Sequence, residues 1–489
     1  MPDGLPTETS APTGDLSSRR GFAGSILTAS VAIAAIAIYA WLISGGTIAH
    51  WHTYTDYYDL LARGFLRGQT HLVEDPAPAL LKLADPYDPN LNEGLRLHDA
   101  SLYRRHYYLY WGPFPALLLA IVRLFPFSSG TQIGDQYLVF AFAAGLLAFN
   151  ALLLMRIRRI VFPEQPAWTA AIALLAAAFA APVVYMLGHA SIYEAAIMGG
   201  QCFLVGGFYF VLRGLEFRPR AGWLAAGGFA WGCAIACRFN LIAPIGGVAI
   251  LALWRLIRLS PRPRQAGIPG GLFMLPLILS CAALLFYNEV RFGSPLEFGT
   301  RYQLTWLNGF GSPPANVLFS AKYVEPNLNR MWLEPMDIVP EFPFLRCGKV
   351  SPSRMIREYH LPREYFPEPL AGFATSLPFA WLALIAPLML GWRMLRGAPG
   401  SSQSNWLTLT FLISSLLAMV PILFVLASTM RYLADVAPSL ILLAAMGMWQ
   451  ANQRSKSKIG GLGVVLAGAI VLAVGGALIG LLLTLSRVR

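Results

Sequence analysis

Asp56-Tyr57-Tyr58-Asp59-Leu60-Leu61 opens a polar stretch just past the first long apolar run of the chain. The same stretch carries Arg63, His71, Glu74, Asp85, Asp88, His98, Asp99, Arg104, Arg105 and His106. Farther along, Glu194, Arg238 with Asn240, Arg291, Arg301, and Arg431 with Tyr432 stand at the ends of apolar runs or just beyond them. A carboxylate can take the proton of an attacking hydroxyl or amine. An arginine fork matches a phosphate in geometry as well as charge. Where the bilayer is the main solvent, ionisable groups are costly and gather where chemistry is done. These residue types therefore suit an anionic, lipid-linked ligand, with Asp56 as the first candidate for a base.

Each residue also has an ordinary role. Asp56 is a favoured N-cap residue for the helical-looking segment that follows it, and Asp59 can pair with Arg63 one turn on. Tyr57, Tyr58, Tyr107, Tyr108, Tyr110 and Trp111 fit an interfacial aromatic belt as well as a sugar platform. Arg238 joins two apolar runs and can snorkel to headgroups. Glu194 and Arg431 fit an interhelical ion pair. His98-Asp99 resembles a catalytic dyad, but a solvated pair is the commoner arrangement, and no GxSxG nucleophile motif is present. Neither GxxxxGK[ST] nor HExxH occurs, so nucleotide hydrolysis and zinc proteolysis have no motif.

The elements that must position these groups are membrane spans. Of 489 residues, 56% are hydrophobic and 13% charged, and the mean hydropathy is +0.55. Soluble domains carry about 25% charged residues, so a soluble fold is excluded. Long apolar runs fall at 22–44, 136–155, 167–187, 192–212, 221–237, 240–257, 268–287, 371–392, 405–427, 433–450 and 460–485. Many reach the roughly 17–25 residues that a spanning helix needs. The run 109–127 is interrupted by Pro113, Pro115 and Arg123. Strands of alternating polarity are absent, which argues against a membrane β-barrel. Five cysteines without CxxC spacing form neither a disulfide framework nor a metal site.

The net charge of +12 would suggest nucleic acid in a soluble chain; here retained cytoplasmic arginines account for it. Basic clusters occur at Arg19/Arg20, Arg156/Arg158/Arg159, Arg213/Arg218/Arg220, Arg255/Arg258/Arg262/Arg264, Arg393/Arg396 and Arg454/Lys456/Lys458. Taking the eleven clear runs as spans puts every cluster on the cytoplasmic side. Both long polar insertions, 45–107 and 288–370, then lie outside with the candidate residues. A spanning 109–127 would invert everything after it, so this segment is expected to be re-entrant or interfacial. The expected organisation is a disordered cytoplasmic tail (1–20), a transmembrane module (21–287) including the loop 45–107, a second outer loop (288–370) and C-terminal helices (371–489).

This pattern resembles the GT-C superfamily of membrane glycosyltransferases, which includes protein O-mannosyltransferases and lipid A aminoarabinose transferases. The resemblance rests on Asp56–Ala62, on Leu97–Pro113, and on Tyr193-Glu194, Arg238-Phe239-Asn240, Arg291–Gly299 and Arg431-Tyr432…Pro438. It spans most of the chain through short motifs. It implies an all-α polytopic bundle of about 11–12 transmembrane helices with two large extracytoplasmic loops. It also implies transfer of a sugar from a polyprenyl-phosphate donor to an envelope acceptor, in a bacterial inner membrane with the N-terminus cytoplasmic. The catalytic first-loop acid of the superfamily carries over to Asp56. Many relatives have two adjacent acids there; here Tyr57 follows Asp56, which leaves open whether Asp59 or Asp99 supplies a second.

Arg238 and Arg431 come first as phosphate ligands, then Arg291 or Arg301. Tyr57, Tyr58, His98, Arg104, Arg105, Glu194, Asn240 and Tyr432 complete the expected substrate-binding set. No metal ligand set is expected; the loop carboxylates are compatible with a divalent cation, but no spacing calls for one. A flippase or transporter of a lipid-linked glycan would carry similar spans and arginines. It should also show repeated halves, and none is visible. A non-catalytic envelope-assembly scaffold is the third reading.

Overall fold

The computed structural model describes residues 14–128, 130–305, 318–398, 400–455, 458–459 and 462–488. The protein is an all-α polytopic membrane protein. Its first ten helices are α1 (Gly14–Ile43), α2 (Tyr57–Leu66), α3 (Phe114–Arg123), α4 (Asp135–Val161), α5 (Thr169–Ala178), α6 (Ala181–Val184), α7 (Ile192–Leu215), α8 (Ala221–Cys237), α9 (Ile242–Leu259) and α10 (Gly267–Phe292). Then follow α11 (Val324–Leu333), α12 (Pro352–Glu358), α13 (Phe373–Ser376), α14 (Ile385–Arg396), α15 (Ser402–Leu423), α16 (Met430–Leu433), α17 (Ala437–Arg454) and α18 (Val464–Val488).

Eight helical segments among the described residues are long and apolar enough to cross a membrane, or nine if the bent pair of α5 with Ala181–His189 is one span. That is fewer than the eleven runs counted in the sequence. Among the described residues each of the eleven runs contains helix, but α8 has 17 residues, and α17 ends in Gln450-Ala451-Asn452-Gln453-Arg454, which lowers its hydropathy. Helix α3 has 10 residues. At 1.5 Å per residue it reaches about 15 Å, half the hydrocarbon core. Helix α1 begins at Gly14, inside the stretch expected to be a disordered tail, and residues 1–13 of that tail lie outside the described residues.

Helices α7, α8 and α10 pack through small residues, as membrane helices do where lipid gives no hydrophobic drive. A Cβ on Gly228 of α8 would lie 1.9 Å from the Phe273 carbonyl oxygen of α10, so only glycine permits this approach. Helix α17 is buried all round from Ala437 to Gln450 and forms the axis of the second half of the bundle.

The two polar loops dock on each other at one end of the bundle. In the first, β1 (Ser101–Tyr103) and β2 (His106–Tyr108) form an antiparallel hairpin. Its neighbour in the second loop is held by Asp99 N to Leu304 O (2.7 Å), Leu304 N to Ala100 O (2.9 Å) and Ser101 Oγ to Gly299 O (2.8 Å). The second loop also contains the antiparallel pair β3 (Met336–Ile338) and β4 (Leu345–Cys347). Its far part is anchored by β5 (Phe366–Pro367), paired in parallel with β6 (Ala427–Ser428) beyond α15. Residues 306–317 of this loop lie outside the described residues.

Candidate functional site

Helix α2 is held at its start by α4. The first-turn amides of Tyr57 and Tyr58 donate to the Asp135 carboxylate at 3.2 Å each, and Thr55 Oγ1 donates to it at 2.6 Å. Asp135 thus supplies the acceptors that an N-cap side chain would otherwise provide. The Asp56 side chain makes no capping bond. Half-buried, it accepts from Gln132 Nε2 at 2.7 Å. Its ordinary role as side-chain cap is therefore taken by another residue.

Asp59 points elsewhere. It is fully buried and takes two bonds from Arg123 of α3, at 2.8 and 2.6 Å. The expected partner Arg63 is also present but stands off at 3.5 Å. Asp99 is buried, with a positive φ of 61°. Gln303 Nε2 donates to it at 2.9 Å, and His98 Nε2 stands 3.6 Å away. Asp99 is thus tied to the second loop, while His98 beside it stays exposed. Burial pushes the Asp99 carboxyl above the usual carboxylate value, against the opposing pull of His98 and of the Gln303 amide.

A cavity of about 440 Å³ opens between the ends of α7, α8, α10 and α15. Arg238, Asn240, Arg291, Arg431 and Tyr432 all line it, joined by Tyr110, Trp111, Tyr193 and Asn288. The remaining wall is largely apolar, with Leu284, Phe298, Phe319, Pro421, Ile422 and Val425. The segment before α3 forms one side, where a Cβ on Gly112 would meet the Ala236 carbonyl oxygen at 2.0 Å. Asp56 is not among the lining residues. Tyr58 of α2 is fully buried and is likewise not among them.

Arg238 does not snorkel. Its Nε lies 2.8 and 2.9 Å from the two Asp435 oxygens and its Nη2 2.7 Å from Oδ2, while Asn240 Nδ2 donates to Oδ2 at 2.9 Å. Arg431 donates to Glu368 Oε1 at 2.5 Å and lies 4.4 Å over the Tyr193 ring. Burial works against its charge, but Glu368 and Glu194 outweigh that and hold the guanidinium above its ordinary value. Glu194 is paired with Arg487 of α18 at 2.9 Å, so the Glu194–Arg431 ion pair weighed from sequence is not formed. Glu194 also caps α7 together with Ser191.

Arg291 differs from its neighbours. Its guanidinium donates to Leu109 O at 2.5 Å and Asn288 Oδ1 at 2.6 Å and lies 3.9 Å from the Tyr287 ring centroid. No described carboxylate forms an ion pair with it. Of three cavity arginines, Asp435 and Glu368 pair with two; Arg291 makes no such ion pair among the described residues, with Glu297 attracting it from farther off.

Other expected residues stand apart. Arg104 and Arg105 occupy the turn between β1 and β2, at positive φ of 47° and 67°, and are exposed. Arg301 and His98 are exposed as well. Tyr57 donates its hydroxyl to His98 O at 2.8 Å. Sequence reasoning left out Asp135, Gln132 and Glu368 and did not assign Asp435 to the site. An arginine at a buried span end demands an acid, which is the signal that could have brought in Asp435 and Glu368. Among the described residues no group of three or more His, Cys, Asp or Glu could hold a metal ion.

No family model matches the sequence, and no curated protein does. Among solved structures, the apo Archaeoglobus fulgidus oligosaccharyltransferase aligns at 12% identity and a TM-score of 0.44, over 94% of this chain and 56% of that one. The archaeal oligosaccharyltransferase AglB from the same organism, in complex with an inhibitory peptide and a dolichol-phosphate, aligns at 12% identity and 0.45, over the same shares. The chain thus spans little more than half the length of these structures.

Proposed function

We propose that this protein is a membrane glycosyltransferase that moves a sugar from a polyprenyl-phosphate-linked donor to an envelope acceptor. The observation that carries the reading is the cavity: a polar end with an unneutralised Arg291 beside Arg238 and Arg431, continuous with an apolar wall. Such a cavity matches a ligand with a phosphate at one end and a hydrocarbon chain at the other. The sequence resemblance to the GT-C superfamily supports the same class of ligand.

In this reading Asp56 takes the proton from the acceptor hydroxyl or amine as its lone pair attacks the anomeric carbon. The bond from that carbon to the phosphate oxygen breaks, and the electron pair leaves with the polyprenyl phosphate. The arginines stabilise the charge as it grows on the phosphate. A phosphate leaves readily and needs no protonating acid. The reaction inverts the anomeric centre.

The basic clusters support a sidedness. Arg156, Arg158 and Arg159 lie near the end of α4 away from Asp135, about 32–36 Å along the helix at 1.5 Å per residue. Arg213, Arg258 and Arg454 lie in the last turns of α7, α9 and α17 there too. By the positive-inside rule that end faces the cytoplasm and the cavity faces outward, in a bacterial inner membrane. Arg487, paired with Glu194, fits a C-terminus on the outer side.

The test is Asp56→Asn in the full chain, with release of polyprenyl phosphate from a labelled lipid-linked sugar as the readout. A lost general base should cost about 10²–10⁴ in rate. The variant should fold normally, because the side chain makes a single bond to an exposed Gln132. Unchanged transfer at wild-type expression would overturn the assignment.

A further inference from the structure

At the end of the bundle remote from Arg238 and Arg291, a second cavity of about 280 Å³ opens between α1, α4 and α7. Arg156, Arg158, Arg159 and Arg213 line it, with Gly24 and Ser25 of α1 opposite. A Cβ on Gly24 would lie 2.2 Å from the Ala167 Cβ, so α1 passes in backbone contact here and closes one side.

The cavity is strongly cationic. Glu216 receives both arms of Arg156 and lies 3.5 Å from Arg213 Nε. Arg213 is further fixed 4.7 Å over the Trp223 ring and donates to Tyr209 Oη at 3.1 Å. Arg158 donates to the Gln165 carbonyl at 2.9 Å, and Arg159 is exposed. Four guanidiniums against one carboxylate leave three positive charges among the described residues. Leu152, which lines the cavity, and Ile26 and Leu27, which follow Ser25 on α1, are exposed apolar side chains. A free anion has no use for such a rim, whereas an acyl chain does.

We propose that this cavity binds the phosphate headgroup of an anionic phospholipid, with its acyl chains along the apolar surface of α1 and α4. Basic recesses between helices at a membrane face are suited to such headgroups. The site is separate from the chemistry proposed above and stands whether or not that reading holds.

The experiment uses the purified full chain in a zwitterionic detergent, with dioctanoyl phosphatidylglycerol, dioctanoyl phosphatidylcholine and inorganic phosphate as probes. Binding is read by native mass spectrometry. Phosphatidylglycerol should bind at least about tenfold more tightly than phosphatidylcholine, given the attraction of each arginine for an anionic headgroup. The Arg158→Ala/Arg159→Ala variant should lose roughly 30-fold in phosphatidylglycerol affinity, the effect of two arginines at a membrane surface. Arg393→Ala/Arg396→Ala at the same end should retain it. Should the double variant unfold, Arg159→Ala carries the test, with roughly a fivefold loss. Equal losses in the Arg393/Arg396 variant, equal binding of phosphatidylcholine, or full competition by inorganic phosphate would each overturn the proposal.

Discussion

Replacing Asp435 by alanine tests whether the cavity is built on a buried ion pair. Asp435 is fully buried, and Arg238 keeps 16% of its side-chain surface exposed. The substitution strips Arg238 of three contacts between 2.7 and 2.9 Å and Asn240 of one at 2.9 Å. Removing one partner of a buried pair costs about 3–5 kcal/mol, because the remaining charge is left uncompensated. Arg238 opens onto a cavity that water can enter, so the lower end, about 3 kcal/mol, is expected. That is roughly a hundredfold in the folding equilibrium. Removing both charges with Arg238→Met and Asp435→Leu should restore most of it, since a well-packed apolar pair is often as stable as the ion pair it replaces. The assay is unfolding by increasing SDS in mixed micelles, followed by circular dichroism, for both single variants and the double one. A single-variant loss below about 1 kcal/mol, the range of exposed pairs, or a double variant no better than Asp435→Ala would refute the reasoning. Glycan transfer should stay lost in the double variant even where stability returns, which separates holding the fold from holding the phosphate.

Arg123→Ala should destabilise by about 3–5 kcal/mol by stranding the fully buried Asp59, measured by the same unfolding assay; Arg63→Ala, whose partner distance is 3.5 Å, should cost under about 1 kcal/mol. Asp99 gives a pH signature. Its raised folded-state value means that the native protein keeps a proton the unfolded chain has released, so stability from this group is full below about pH 3.9 and lost as pH rises through the native value. Denaturation midpoints should therefore fall more as pH rises from about 4 in the wild type than in Asp99→Asn, and a constant difference would contradict this. Gly112→Ala, whose new methyl would sit 2.0 Å from the Ala236 carbonyl oxygen, should cost about 1–3 kcal/mol or more and narrow the cavity, read as a loss of lipid-phosphate binding.

The helical runs were legible because a span is a local, repetitive signal. Their number was not, because 17 residues in α8 and a polar end on α17 fall where length and composition stop deciding. The arginines at span ends were legible for the same local reason. Arg238, Arg291 and Arg431 do meet in one cavity, together with Asn240 and Tyr432. Arg104, Arg105 and Arg301 had the same residue type in loops but settled at exposed positions. Nothing in their neighbours distinguishes a turn of a hairpin from a wall of a cavity. Asp135 was hidden differently. It stands immediately before the apolar run 136–155, and only folding brings it to the start of α2.

Charge bookkeeping is where structure changes the reading most. From the sequence, Arg238 and Arg431 rank ahead of Arg291; Arg238 joins two apolar runs directly, with no long loop to escape into. Their partners lie far off in the chain: Asp435 follows Arg238 by 197 residues and Glu368 precedes Arg431 by 63. Once paired, each contributes donors to the cavity but little net charge. Arg291 is held by a carbonyl, an amide oxygen and a ring face, none of which cancels its charge. An incoming phosphate gains most from the cation that no carboxylate already neutralises, whereas at Arg238 and Arg431 it must share donors with an acid. In the proposed reaction the order of the phosphate ligands is therefore reversed: Arg291 would supply the charge, and Arg238 and Arg431 the shape.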